Sequence, residues 1–283
     1  MNAGPGALSP TTPQARHRKN FCAAFFKKRP LASLERAAPF LFGLIALALW
    51  QGAVWALRVP PYVLPGPLAI GAAYFGDYRV LDPALLSTLT VTLTALAAAT
   101  AIGVTLAVAM AASPLFRAAV QPWAVILQVT PVVAIAPLII IWVNQPFIAL
   151  VVCATIVAFF PILSNTAAGL AATPPELLDL FRLNGASRWQ ILLLLRLPSA
   201  LPAFLVGLRI SGTLALVGAV VAEFVAGSGG FASGLAYSII EASYRLEIPR
   251  MFAALVLLGV SGVVIYALLG LLARMLLRRR GSA

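Results

Sequence analysis

Side chains that could catalyse a reaction or bind a metal are scarce in this 283-residue chain. It contains one histidine, His17, and two cysteines, Cys22 in a basic N-terminal segment and Cys153 in an apolar one. Zinc sites use sets of cysteine and histidine ligands, and disulfide scaffolds use several paired cysteines in a short chain. The sequence therefore argues against metal and thiol chemistry. It also lacks the histidine or clustered carboxylates that an intramembrane enzyme would need within an apolar segment.

A second group of polar residues lies in the connection 173–198, and its spacing predicts two short helices. About 30 residues join two apolar segments there, where a short turn would suffice. Thr173, followed by two prolines, predicts a helix cap, and the Asn-Gly pair at 184–185 predicts a left-handed turn at the end of that helix. Ser187 with a glutamine three residues later predicts a capping box and a second helix that ends before Pro198. The connection is therefore predicted to be an ordered helix–turn–helix element.

This helix–turn–helix element would display Arg182, Arg188 and Trp189 on its surface. Arginine and tryptophan are frequent anchors at protein interfaces, so the element is interpreted as a docking surface for another protein. The alternative is a pair of helices that lie passively at the lipid headgroups.

Polar residues and prolines also interrupt the apolar segments. Gln128, Pro131 and Pro137 share one segment, and prolines free backbone carbonyls that protein or a cavity must satisfy. They predict a kinked helix, either beside an aqueous path or buried in a bundle. Asn165 predicts hydrogen bonding between helices or, as a second possibility, a position on such a path.

Glu223 lies near the end of an apolar segment, where an acidic group indicates a functional role. It is interpreted either as a gate or path residue, or as an interfacial carboxylate that faces water or pairs with Arg245 or Arg250. The small residues from Gly227 to Gly234 predict a re-entrant or lid-like segment.

The elements that must position these groups are membrane helices. The chain is 61% hydrophobic and 10% charged, with a mean hydropathy of +0.99, against about 45–50% and 25% in soluble domains. A stripe of small residues from Ala95 to Ala111 predicts close helix packing. The predicted fold is therefore an all-α integral membrane bundle, with six transmembrane helices at 37–57, 88–112, 120–143, 147–168, 202–222 and 252–277.

The positions of the basic residues predict the orientation. Short cytoplasmic loops retain lysine and arginine, and most of these residues fall in the terminal segments and the connections on the same side. Both termini are therefore predicted to be cytoplasmic, and the net charge of +12 reflects topology rather than nucleic-acid binding. The exceptions, on the opposite side, are Arg58, Arg79, Arg245 and Arg250.

The predicted organisation has a peripheral and a core part. A disordered basic tail precedes the first transmembrane helix, and a periplasmic or interfacial connection leads into a core of five helices. A short cytoplasmic tail ends the chain. The ranges are 1–36 for the tail, 37–57 for the first helix, 58–87 for the connection, 88–277 for the core with its loop 173–198, and 278–283 for the C-terminal tail.

The helix–turn–helix element resembles a loop in the inner-membrane permease subunits of binding-protein-dependent ABC importers. That loop has the pattern Glu-Ala-Ala, three residues, Gly, nine residues, Ile, one residue, Leu-Pro. The spacing fits, although the first motif reads Asp-Leu-Phe here, which predicts bulkier contacts. Segments such as VVAEF resemble the nitrate, sulfonate and taurine branch of the family. The positions that match the pattern are Asp179, Gly185, Leu195, Leu197 and Pro198.

The resemblance implies a type I ABC importer permease fold with a cytoplasmic coupling helix, and a set of partners. The loop, which includes Ala186, would dock into a cytoplasmic ABC ATPase dimer, a second permease copy would complete the pathway, and a periplasmic solute-binding protein would deliver the solute. ATP and magnesium would bind the ATPase, because a phosphate-binding loop needs a lysine and this chain has none after Lys28. The chain itself is expected to bind no cofactor and to catalyse no reaction.

The expected function is import of a small solute through a bacterial inner membrane. The resemblance implies a sulfonate, nitrate, taurine or related solute, or else a pyrimidine vitamin precursor or riboflavin. The alternatives are an ion-coupled secondary transporter, which would show intramembrane charge relays and repeated halves, and a non-catalytic membrane scaffold.

Overall fold

A computed structural model describes residues 31–227 and 233–278, and all regular elements in these ranges are helices. Five helices in the described part of the chain are long and apolar enough to cross a membrane, and a bent pair of shorter helices passes the same test only together, as a broken span or a re-entrant loop. The predicted all-α membrane bundle is confirmed. The helices are α1 (Leu31–Ala56), α2 (Pro67–Ala112), α3 (Pro114–Val129), α4 (Val132–Val143), α5 (Pro146–Ala171), α6 (Pro175–Leu183), α7 (Arg188–Gln190), a π-helical turn (Ile191–Arg196), α8 (Leu197–Ala226), α9 (Leu235–Tyr244) and α10 (Ile248–Arg278).

Residues 1–58 and 59–283 form two separate units. In the first unit, α1 contains an apolar stretch, Ala37–Ala56, with a mean hydropathy of 1.8 and almost no buried side chains. The predicted basic tail lies outside the described residues up to position 30. Helix α1 begins within the range expected for that tail, at Leu31.

The core of the second unit is built from α2, α5 and α8, which pack closely through small residues. A side-chain β-carbon at Gly207 would lie 2.7 Å from the carbonyl oxygen of Pro161, so only glycine allows α8 this close to α5. The predicted small-residue stripe on α2 is confirmed, because Ala95, Ala99 and Ala107 are fully buried. Lipid provides no hydrophobic drive between helices, so this close backbone approach supplies much of the packing energy.

Helix α2 is longer than its predicted span. The segment 58–87 is helical from Pro67 onward, and α2 continues without interruption to Ala112. The apolar window began at Thr88 because Asp77, Arg79 and Asp82 precede it. These charges end the apolar pattern but not the helix, since charged side chains are compatible with helical backbone in water.

The predicted kinked third helix is instead two helices, α3 and α4, which meet at 100°. The break falls at Thr130 and Pro131. Thr130 has an extended conformation, with φ −68° and ψ 122°, as steric clash with a following proline favours.

The second loop helix does not end before Pro198. The chain passes from α7 through the π-helical turn directly into α8, which contains Pro198 and Pro202. A wider turn of this kind changes the hydrogen-bond register just before the proline, whose missing N–H would otherwise interrupt the helix. The loop is therefore continuous with a membrane helix.

Candidate functional site

Helix α6 ends in a Schellman motif. The Gly185 N–H donates to the Arg182 carbonyl at 3.0 Å, and the Ala186 N–H donates to the Phe181 carbonyl at 3.0 Å. Gly185 has φ of 72°, in the left-handed region. The predicted left-handed turn is confirmed, and it fixes the angle between α6 and the chain that follows.

The next turn carries the predicted capping box. Ser187 Oγ accepts a hydrogen bond from the Gln190 N–H at 3.3 Å, and Gln190 Oε1 accepts from the Ser187 N–H at 2.7 Å. The cap predicted at Thr173 is wrong. The Thr173 hydroxyl is buried and donates back to the Leu170 carbonyl of α5 at 3.2 Å, so α6 has no side-chain cap.

The outer surface of this loop exposes large apolar side chains among charged ones. Trp189 is 70% exposed and Leu183 is 87% exposed, and Arg188 is also exposed. Asp179 and Arg182 form an exposed ion pair at 3.2 Å, which contributes little to stability. A hollow of about 370 Å³ opens beside them, lined by Leu180, Phe181, Asn184, Gly185, Ala186, Gln190 and Leu194.

The end of the loop is anchored in the bundle. Leu192 and Leu195 are buried, and Leu197 and Pro198 are half-buried. Arg196 Nη1 donates to the Ala111 carbonyl at the end of α2, at 3.3 Å. The matched motif positions therefore divide into an exposed set before residue 190 and an anchoring set after it.

The polar and proline positions predicted for a path lie on different elements, and no hydrogen bond joins them. Gln128 on α3, Pro131 at the break and Pro137 on α4 are all exposed. Asn165 Nδ2 donates to the Pro161 carbonyl of its own helix at 2.8 Å. Its predicted hydrogen bond between helices is therefore wrong, and Asn165 instead packs its β-carbon against Gly207.

Glu223 is buried rather than in water, and it pairs with neither predicted arginine. Its carboxylate accepts hydrogen bonds from the Thr88 hydroxyl of α2 at 2.9 Å and from the Ala236 N–H at 3.2 Å. Thr88 Oγ1 also accepts from the Leu235 N–H at 2.9 Å. A β-carbon at Gly234 would overlap the carboxylate. Glu223 and Thr88 thus hold the first N–H groups of α9, which a helix leaves unpaired.

Arg245 and Arg250 pair with other carboxylates at the same end of the bundle. Arg250 is buried and lies 2.9 Å from Glu247, 3.7 Å from Glu241 and 3.7 Å from Asp77. These pairs join α9 and α10 to α2. Residues 228–232 of the predicted lid-like segment lie outside the described residues.

Two features of the bundle were not predicted from the sequence. Thr88 gave no signal in the sequence, because threonine hydroxyls in helices commonly bond to the backbone of their own helix. Arg209 was not among the predicted site residues. Its guanidinium carbon lies 3.6 Å from the centre of the Tyr266 ring, and its Nε is buried without a hydrogen-bond partner. A lone charge in the middle of an apolar segment could have singled it out.

Known proteins resemble this chain in sequence. Residues 99–280 match the profile of a family described as binding-protein-dependent transport system inner membrane component. The riboflavin transport system permease protein RibX of Chloroflexus aurantiacus is 36% identical over 84% of this chain and 88% of its own. The formylaminopyrimidine transport permease protein ThiX of Halalkalibacterium halodurans is 32% identical over 88% and 97%. A putative aliphatic sulfonates transport permease protein, SsuC of Bacillus subtilis, is 31% identical over 55% of each chain.

Solved structures share the fold. A chain of the methionine ABC transporter MetNI, in an inward-facing conformation, aligns with a TM-score of 0.61 at 21% identity, covering 71% of this chain and 97% of that one. A chain of an amino acid ABC transporter aligns with a TM-score of 0.60 at 20% identity, covering 72% and 97%.

Proposed function

The chain belongs to the binding-protein-dependent transport system inner membrane component family and is a permease subunit of an ABC importer, and we propose that a separate ATPase drives it through the loop 173–198. In this proposal two copies of the chain form the solute pathway, and a periplasmic binding protein delivers the solute. ATP and magnesium bind the ATPase, and this chain provides the path and the coupling surface.

The proposal is supported most directly by the loop, which is exposed at one end and anchored in the bundle at the other. Its exposed part presents Trp189, Leu183 and a hollow beside the Schellman turn, and such an apolar surface favours a protein partner over water. Its inner part runs through the π-helical turn into α8 without a flexible joint. A displacement of the exposed part is therefore passed to a helix that crosses the membrane.

Transport then follows from two bundle states that differ in affinity for the ATPase. A partner can shift the equilibrium between two conformations only by the difference between its binding free energies for them. The ATP-bound ATPase would favour one arrangement of the loop, and nucleotide hydrolysis would release it. Arg196, bonded to the end of α2, extends this coupling from α8 to a second core helix.

The family assignment does not identify the solute, so its chemical class is part of the proposal. The relatives named above are permeases for riboflavin, a formylaminopyrimidine and, putatively, aliphatic sulfonates. We infer a small organic or inorganic solute of this range. The proposed location is a bacterial inner membrane, with both termini in the cytoplasm.

A substitution at Gly185 tests the coupling role. Gly185→Pro cannot adopt φ of 72°, so the Schellman turn must open and the exposed part of the loop must shift. We expect the purified complex to lose its ATPase subunit, or to retain it without solute-stimulated ATP hydrolysis. Gly185→Asn is the matched control, since asparagine tolerates the left-handed conformation and a β-carbon there meets no atom within 4 Å.

The two variants separate coupling from folding. Both should insert in the membrane and elute as folded protein, because Gly185 lies on the exposed loop. Full ATPase retention and normal coupling in the proline variant would contradict the coupling role. An importer complex that never contains an ATPase, even with the wild-type chain, would contradict the proposed assembly.

A further inference from the structure

An unpaired charge lies deep within the bundle. Arg209 is about 20 Å from Arg196 and about 21 Å from Glu223 along the helix, at 1.5 Å per residue. Arg196 directly precedes α8 and Glu223 lies in its last turn, so Arg209 lies about halfway along the helix. An arginine side chain reaches only a few ångströms, so it cannot extend to either headgroup layer from there.

The Arg209 guanidinium is held in a fixed position. It stacks on the Tyr266 ring at 3.6 Å, a cation–π geometry. A β-carbon at Gly270 would lie 3.0 Å from the guanidinium, so glycine there makes room for it. One face of the planar group is therefore covered by α10.

Within the part of the chain that the structure describes, no carboxylate or hydrogen-bond acceptor contacts Arg209. Its Nε is buried without a hydrogen-bond partner, and its guanidinium lies against the Tyr266 ring and Gly270. The residue as a whole is half-buried, so part of the side chain stays accessible, and the terminal amino groups keep N–H donors that are unpaired within the described residues. An unpaired charge facing hydrocarbon at mid-depth costs several kcal/mol, and arginines in such positions face water-filled cavities or partners.

A second copy of the chain does not supply the missing acid. A copy with the same membrane orientation carries its carboxylates at the same depths. The acidic residues of the second unit lie at one end in the loop, or at the other end around α9, where ion pairs and hydrogen bonds locate them. Those at the loop are Glu176 and Asp179, and those at the α9 end are Asp77, Asp82, Glu223, Glu241 and Glu247. Glu35 precedes the apolar stretch of α1.

Arg209 lies along one exposed stripe of α8. Val206, Ile210 and Val217 on this stripe are about half exposed, and Thr213 follows Arg209 by one turn. We propose that this stripe faces the aqueous solute path and that the free N–H groups of Arg209 bind an oxygen acceptor of the passing solute. The inference rests on the proposed function. It assigns the solute an anionic or carbonyl oxygen and excludes a cationic solute.

A cysteine at Thr213 tests the site without knowledge of the solute. In a chain with Cys22→Ser and Cys153→Ala, Thr213→Cys places a thiol one helical turn from Arg209, with about 6 Å between the two β-carbons. The probes are two methanethiosulfonates, one carrying an ethylsulfonate and the other an ethyltrimethylammonium group. Rates are measured on the assembled complex in vesicles, with and without ATP, and normalised to the rates with 2-mercaptoethanol.

We expect the anionic probe to react about tenfold faster than the cationic one, because a fixed positive charge near the thiol attracts the one and repels the other. The preference should disappear in Arg209→Gln and persist in Arg209→Lys, which keeps the charge. Sodium methanesulfonate should slow the reaction when Arg209 is present, whereas tetramethylammonium chloride should not.

Three outcomes would overturn the inference. Failure of both probes in both nucleotide states would place Thr213 outside an aqueous path. An unchanged probe preference in Arg209→Gln would show that the Arg209 charge does not cause the preference. Lack of protection by methanesulfonate would show that Arg209 does not bind an oxygen acceptor. Each of these leaves ATPase retention intact, so failure of this inference is distinguishable from failure of the proposed importer assembly.

Discussion

Replacement of Thr88 by valine should loosen α9 from the bundle. Thr88 Oγ1 donates to Glu223 at 2.9 Å and accepts from the Leu235 N–H at 2.9 Å, and the residue is fully buried. Valine has nearly the same shape but offers neither a donor nor an acceptor. The substitution therefore removes two hydrogen bonds and leaves a cavity of negligible size.

The expected cost is about 2–4 kcal/mol. An orphaned buried N–H costs about 1–3 kcal/mol, and the bond lost by the carboxylate contributes about 1 kcal/mol more. Because both bonds lie where α9 meets α2 and α8, the loss should be local. Amide hydrogen exchange at Leu235 and Ala236 should accelerate by about 30-fold to 900-fold, at 1.36 kcal/mol per factor of ten.

Hydrogen exchange followed by mass spectrometry on the purified protein measures this effect, and unfolding in mixed detergent micelles measures the global cost. Thr105→Val is the matched control on the same helix. Thr105 is exposed, and its hydroxyl bonds only to the Ala101 carbonyl of its own helix, at 2.7 Å. Its replacement should change stability by less than about 0.5 kcal/mol. Equal behaviour of the two variants would refute the assigned role of Thr88.

Two further substitutions, each compared with a control variant, probe the same end of the bundle by micelle unfolding. Gly234→Ala should destabilise the protein by about 1–3 kcal/mol, because its methyl group would overlap the Glu223 carboxylate. Gly259→Ala, whose methyl group meets no atom within 4 Å, should stabilise it by up to about 1 kcal/mol. A Gly234→Ala variant more stable than the Gly259→Ala variant would show that the overlap relaxes freely. Arg250→Met should lower the stability of the protein by about 1–3 kcal/mol, since three carboxylates lose the cation that they share. Arg245→Met removes an exposed ion pair and should lower it by less than about 1 kcal/mol. Equal losses would mean that the Arg250 cluster is no stronger than a surface pair.

The loop was the part of the functional surface that local sequence described best. The turn at Gly185 and the capping box at Ser187 depend on residues only a few positions apart, and both were predicted correctly. The end of the second loop helix was not. Pro198 signals a helix end locally, but the π-helical turn before it and the packing of Leu192 and Leu195 carry the helix onward.

The same distinction explains the errors in the membrane core. Apolar composition located the spans, because a membrane helix must be apolar over its whole length. It could not locate the start of α2, since helical backbone continues past the charged residues that end the apolar window. The prolines predicted an irregularity in the third span, but the 100° angle depends on how α3 and α4 pack.

Sequence by itself determined the all-α membrane class, the approximate spans and the local geometry of the loop, because each depends on residues close together in the chain. Tertiary structure decided which distant groups meet. Thr88 and Glu223 are separated by 135 residues and share a hydrogen bond, and Arg209 stacks on the Tyr266 ring without an acidic partner among the described residues. These contacts arise only when α2, α8, α9 and α10 pack together, since a buried polar group is satisfied by whichever helix the fold brings next to it.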